Sequence, residues 1–177
     1  AINNIFGVGG GGLMTIGQMA EIVVLFAIPF VAGKVSRKSL LAVGLAAYAL
    51  RMFLFSQVEW LSGMTGVAEI GILMSGIALH GLCFGCFIFV AFMIVDEQCS
   101  RDVKASAQNL FNLVIVGIGI VLGSYVAGQI GEWATTGDVV DYSKLFSIPM
   151  YASLVCLGLL LAFYPRLAQA DPDSHRL

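Results

Sequence analysis

Of the 177 residues, 59% are hydrophobic and 11% charged, whereas a soluble globular domain is about a quarter charged; this composition excludes an ordinary soluble domain and indicates an integral membrane chain. Nine basic and eleven acidic residues give a formal charge of -2, which leaves no global basic field to attract nucleic acid. Cys83, Cys86 and Cys156 lie in apolar runs and Cys99 in a polar loop, a distribution unlike a secreted disulfide framework.

The first twelve residues, AINNIFGVGGGG, carry neither the basic start nor the cleavage site of a signal peptide. Segment 1–12 reads as a Gly-rich loop or the remnant of a preceding helix, and the chain as a fragment of a longer one. A phosphate cradle is disfavoured, because neither a preceding strand nor a following Lys-Ser or Lys-Thr accompanies the glycines. Five apolar stretches follow, at 13–33, 39–56, 67–95, 105–131 and 145–164. Each reaches or approaches the roughly 20 residues that cross a bilayer as a helix. They predict a transmembrane bundle over 13–164, with a cytoplasmic tail at 165–177.

The first stretch contains GQMAEIVVLFAIPF, with Glu21 well inside the span. A charge at such depth costs roughly 2.5 to 3.5 kcal/mol on insertion scales, so the group must face protein or water. Gln18, one turn earlier, shares its face. Together a carboxylate and a carboxamide offer acceptors and donors suited to a polyhydroxylated or heterocyclic solute; the alternative is a hydrogen bond that only ties helices together. Pro29 should kink the helix or free a carbonyl near its end.

Arg51 lies near the outer end of the second stretch, where it is expected to snorkel to the interface or pair with an acidic neighbour rather than touch a ligand. The third stretch, roughly 29 residues at 1.5 Å each, must tilt or extend its Glu69 end into the headgroups. Within it His80, Cys83 and Cys86 have a ligand-like spacing. On one helix the three fan over an arc of about 120° with no evident fourth ligand, so no metal or other cofactor is expected. His80 and Phe84 stack on one face, a polar ring beside an apolar one, which suits either a planar ligand or ordinary packing.

DEQCSRDVK forms a charged loop, and Gln108 and Asn112 beyond it share a face that can line a cavity. Gly81 and Gly85, and in the fourth stretch Gly119, Gly123, Ala127 and Gly131, recur every four residues. Such ridges let helix backbones approach closely in lipid. In the last stretch Pro149 is expected in the first turn and Pro165 at the end.

Connector charges set the expected orientation. Lys34, Arg37 and Lys38 fill the first connector, Arg101 and Lys104 the third, and Arg166 and Arg176 the tail, whereas the second has no basic residue and the fourth only Lys144. By the positive-inside rule the first and third connectors and the C-terminus face the cytoplasm. Trp60 and Trp133 fall in the outer connectors, where indole rings favour the interface. No serine-histidine-acid set, acidic dyad or metalloprotease motif is present, so an enzyme is not expected.

TIGQMAEIVVLFAIPF, AYALRMFLF, HGLCFGCFIF, RDVKASAQNLF and GSYVAG resemble, in that order, the C-terminal half of the nucleoside:proton symporters of the major facilitator superfamily. The likeness runs roughly from Met14 to Tyr164, and the G-Q-x-x-E helix and K-A-S-A-Q block are its more specific parts. It implies an all-α helical bundle whose spans are the eighth to twelfth of twelve, with the N-terminal half missing. It implies a secondary transporter of a bacterial inner membrane that imports nucleosides with protons by alternating access. Gln18, Glu21, His80 and Phe84 would then hold the nucleoside, and Glu21 would couple it to the proton. A facilitator for another polar solute, or a scaffold or sensor with the same fold, is the alternative. Two positions depart from the family pattern: His80 stands where a member has tyrosine, and Gly85 where that member has aspartate. The first bears on base preference, and the second leaves Glu21 as the main candidate for coupling.

Overall fold

The structure, a computed structural model, describes residues 11–164, with side chains from Thr15 onward. Segment 1–10 and the expected tail at 165–177, with Pro165, Arg166 and Arg176, lie outside the described residues; Gly11 and Gly12 open the first helix.

Helix α1 spans Gly11–Ala32 and contains Pro29, which has no N–H to offer the carbonyl four residues back. Helix α2 spans Arg37–Ser56 and starts where the Ser36 hydroxyl accepts from the Ser39 amide at 3.1 Å, satisfying one of the orphan donors of a helix start. A short helix, α3 (Val58–Thr65), occupies the polar connector and stops at Gly66, whose φ of 71° is left-handed. The third long helix, Glu69–Gln98, is a composite. It comprises α4 (Glu69–Ala78), α5 (His80–Cys83), a π-helical stretch (Phe84–Phe89) and α6 (Val90–Gln98). The fourth, Lys104–Ala134, likewise joins α7 (Lys104–Asn112) to α8 (Gly119–Ala134) through a π-helical Leu113–Ile118. A two-residue hairpin, β1 (Thr135–Thr136) with β2 (Val139–Val140), then leads into α9 (Tyr142–Phe163). Five of these helices are long and apolar enough to cross a membrane.

Pro149 is not in the first turn of the last helix. The Asp141 side chain accepts from the Lys144 amide at 3.1 Å, so α9 starts at Tyr142 and Pro149 sits about two turns in. That same backbone hydrogen bond, assisted by the Lys144 ammonium at 3.2 Å, holds the Asp141 carboxyl below its usual range.

Helix α9 lies along α2, while α1 and α2 both pack on α5 and the π-helical stretch after it. Helix α8 reaches the rest through α9, and α7 through α6. Ile28, Ala32, Leu40, Leu41, Cys86 and Val90 form the buried cluster where α1, α2 and the composite third helix meet. In lipid such contacts act through dispersion and close fit, since burial of oil from water is not available between spans. Close fit is what glycine supplies. A Cβ added to Gly81 would lie 2.4 Å from the Ala20 carbonyl and 2.7 Å from the Glu21 amide nitrogen. A Cβ on Gly44 would lie 2.9 Å from the Phe87 amide nitrogen. The ridge expected on the fourth helix behaves differently: around Gly123 and Gly131 nothing among the described residues lies within 4 Å.

Polar side chains tie the opposite end. Arg37 donates to both Glu97 oxygens, at 3.2 and 3.3 Å from Nε, and to the Ala32 carbonyl at 2.7 Å. Lys38 donates to the carbonyls of Leu161 (2.8 Å) and Tyr164 (3.1 Å), orphan acceptors at the end of α9. Lys104 and Gln108 reach the two oxygens of Asp96, at 2.8 and 3.1 Å. Gln108 therefore joins a latch between helices, at the rim of a cleft of about 220 Å³ lined by Phe89, Phe92, Met93, Asp96, Glu97 and Gln108.

Candidate functional site

Glu21 is carried at the middle of α1, and Gly81 lets that part of α1 touch the third helix backbone to backbone. The contact decides what Glu21 meets. His80, next to Gly81, places Nε2 at 3.8 Å from Glu21 Oε2, too long for a hydrogen bond but within reach of a small group bridging the two. The two side chains remain 22% and 35% exposed, so they form an open face and not a sealed knot. Gln18 is exposed one turn before Glu21 on α1.

Phe84 is 40% exposed and sits beside His80 with ring centroids 6.3 Å apart and planes at 46°. These rings are tilted neighbours along one helix, not the parallel walls of a slot. A flat solute would lie against them from the open side, on the Phe84 face and the His80 edge. The π-helical stretch that begins at Phe84 resets the angular register of everything beyond Phe89.

Arg51 departs from expectation. It neither snorkels nor pairs with an acid: its Nη1 lies 2.8 Å from His80 Nδ1, and its guanidinium carbon stands 5.3 Å from the centroid of the Phe55 ring. Spacing along one helix cannot reveal this link, because the partners are 29 residues apart and on different helices. Cys83 and Cys86 are buried packing groups with free thiols. Among the described residues no group of three or more His, Cys, Asp and Glu side chains is placed to hold a metal ion.

The site is thus an acid, a histidine and an arginine in series across three helices, with a carboxamide and an aromatic ring exposed beside them. Such a surface can accept and donate hydrogen bonds to a neutral polar solute and can take up or release a proton.

Comparison with known proteins identifies the family of the chain. The family described as "Nucleoside H+ symporter" matches residues 3–168. The nucleoside permease NupG of Escherichia coli is 26% identical over 86% of this chain, which spans 35% of that protein. The putative nucleoside transporter YegT of the same organism is 31% identical over 68% of the chain and 28% of its own length. The chain thus spans about a third of the length of the curated relatives it matches. A crystal structure of NupG superposes with a TM-score of 0.76 at 24% identity, covering 86% of this chain and 36% of that one, and so shares its fold. The all-α bundle is of the major facilitator type, and the chain belongs to the nucleoside H+ symporter family.

Proposed function

We propose that this chain is the C-terminal part of a secondary transporter that carries nucleosides inward together with protons. The observation that carries the reading is the apposition of Glu21 and His80 at 3.8 Å on an open face in the middle of the bundle. A membrane carboxylate retained there, next to a histidine and beside exposed Gln18 and Phe84, is suited to sugar and base at once. A ribose hydroxyl placed between the two can donate to the Glu21 carboxylate and accept from the His80 ring, while the base lies on Phe84 and its polar edge meets Gln18. Protonation of Glu21 removes the charge that would otherwise have to move with the cargo. Two six-helix halves rocking about this midplane site would expose it alternately, and the exposed face around Glu21 is the side the N-terminal half would cover. The family membership and the nucleoside carriers among the relatives support the same cargo class.

The test is uptake by the full-length protein. Labelled uridine or adenosine should accumulate, unlabelled nucleosides should compete, and a protonophore should collapse the accumulation. A carrier that accumulates another solute and is indifferent to every nucleoside would overturn the cargo assignment.

The same reading places the protein in a bacterial inner membrane with its C-terminus and the Arg101–Lys104 connector in the cytoplasm, on the strength of the basic residues there. Cys99, two residues before Arg101 in the same DEQCSRDVK connector, is free and partly exposed. In a variant with Cys99 as its single cysteine, a membrane-impermeant maleimide should label inverted vesicles and spare intact spheroplasts. The reverse pattern would invert the topology.

A further inference from the structure

The contacts of Arg51 constrain the chemistry of its partner. A guanidinium carries donors only and stays charged. The His80 Nδ1 atom that meets it at 2.8 Å must therefore be the acceptor, and the ring's proton must reside on Nε2, the atom facing Glu21 at 3.8 Å. A second proton on the ring would set N–H against N–H and cation against cation at hydrogen-bond distance. The arginine is itself held. Its guanidinium lies over the Phe55 ring at 5.3 Å, within cation–π range. Phe55 in turn packs edge-on to Phe146 of α9 at 5.3 Å and seats against Gly76, where an added Cβ would lie 2.5 Å from its Cε1. The Arg51 Nε is buried with no hydrogen-bond partner, a cost that stays with the protein only if the rest of the side chain is held elsewhere.

We propose that Arg51 is a positioning residue of the transport site: it fixes His80 as a neutral ring with its proton on Nε2, so that one N–H is presented beside the Glu21 carboxylate. The charged and titratable groups around the ring are Glu21 from α1, Arg51 from α2 and Cys83 from its own helix. With the ring fixed in this way, His80 acts as a constant donor toward the cargo. The role rests on the nucleoside-carrier reading, but the state of the ring does not.

The full-length carrier, labelled with ¹⁵N-histidine, tests the two separately, with H80Q used to assign the resonance. At pH 6 His80 should appear neutral with Nε2 protonated, without any nucleoside present. R51M should release the ring from its fixed tautomer, so that Nδ1-protonated species appear beside the Nε2 form at that pH and the pH profile of uptake departs from that of the wild type. R51K, which keeps a charged donor, should retain most of the wild-type profile. In the H80Q background R51M should change uptake by less than about twofold, since its partner is gone. A wild-type ring that is doubly protonated at pH 6, or protonated on Nδ1, overturns the proposal even if R51M fails to fold. So does an R51M defect of equal size with and without His80. Absence of nucleoside uptake in the wild type would instead remove the carrier reading and leave the spectrum to decide the role of Arg51.

Discussion

Replacing Glu21 with glutamine should abolish concentrative uptake of nucleoside in the full-length carrier. The change is nearly isosteric, so the contact of α1 with Gly81 and His80 should survive, and two functions of the carboxyl would be lost together. A charged acceptor becomes a neutral one: hydrogen bonds to charged groups are worth about 1.5–3 kcal/mol, which corresponds to roughly a ten- to hundredfold loss of affinity at 1.4 kcal/mol per decade. The amide also cannot pick up and release a proton, so uptake should lose its proton coupling and its sensitivity to protonophore. Exchange of labelled for unlabelled nucleoside across proteoliposomes separates the two. If coupling is the larger role, exchange persists while accumulation vanishes; if cargo contact is larger, both fall. Wild-type accumulation by E21Q at every pH would remove Glu21 from the mechanism.

Alanine at Gly81 should destabilise the protein and reduce transport, although glycine has no side chain to offer a ligand. The added methyl would lie 2.4 Å from the Ala20 carbonyl, so two helix backbones would have to separate. Overpacking of this kind costs about 1–3 kcal/mol, and here the displacement falls on the Glu21–His80 apposition. The same substitution at Gly63 in α3, with nothing within 4 Å, should gain roughly 0.5–1 kcal/mol from helix propensity alone. Thermal denaturation of the purified proteins in detergent should therefore show opposite shifts for G81A and G63A. A melting temperature for G81A at or above wild type would mean that the close approach at Ala20 does not govern the packing.

The fourth helix presents a contrast. None of its apolar window is buried within the chain, and only 6% of that of α9, against 39% for α2. Leu113, Ile120, Val121, Leu122 and Tyr125 are all largely exposed. In a full-length carrier of the family type these surfaces would meet lipid or the remaining helices, and the Gly119, Gly123, Ala127 and Gly131 ridge finds no counterpart among the described residues.

The all-α membrane class was legible because lipid permits only internally bonded backbone, and that requirement writes itself as long apolar runs. Glu21 stood out for the same reason: an acid in such a run must have a partner or a purpose. The start of α9 was not legible, because its first turn, YSK, is polar and only the Asp141 cap marks it as helix. The hairpin at 135–140 and helix α3 likewise lie in polar connectors that hydropathy treats as loops.

By itself, then, the order of residues determined the membrane-helical class, the family pattern and the candidate acid, carboxamide, histidine and aromatic residues. Tertiary structure alone decided which of two similar glycine ridges packs within the described residues and that Arg51 turns inward to His80. The physical reason is range. Hydropathy and helical spacing are local averages over a few turns, whereas the Gly81–Ala20 contact and the Arg51–His80 hydrogen bond join residues 61 and 29 positions apart, brought together only when three helices pack.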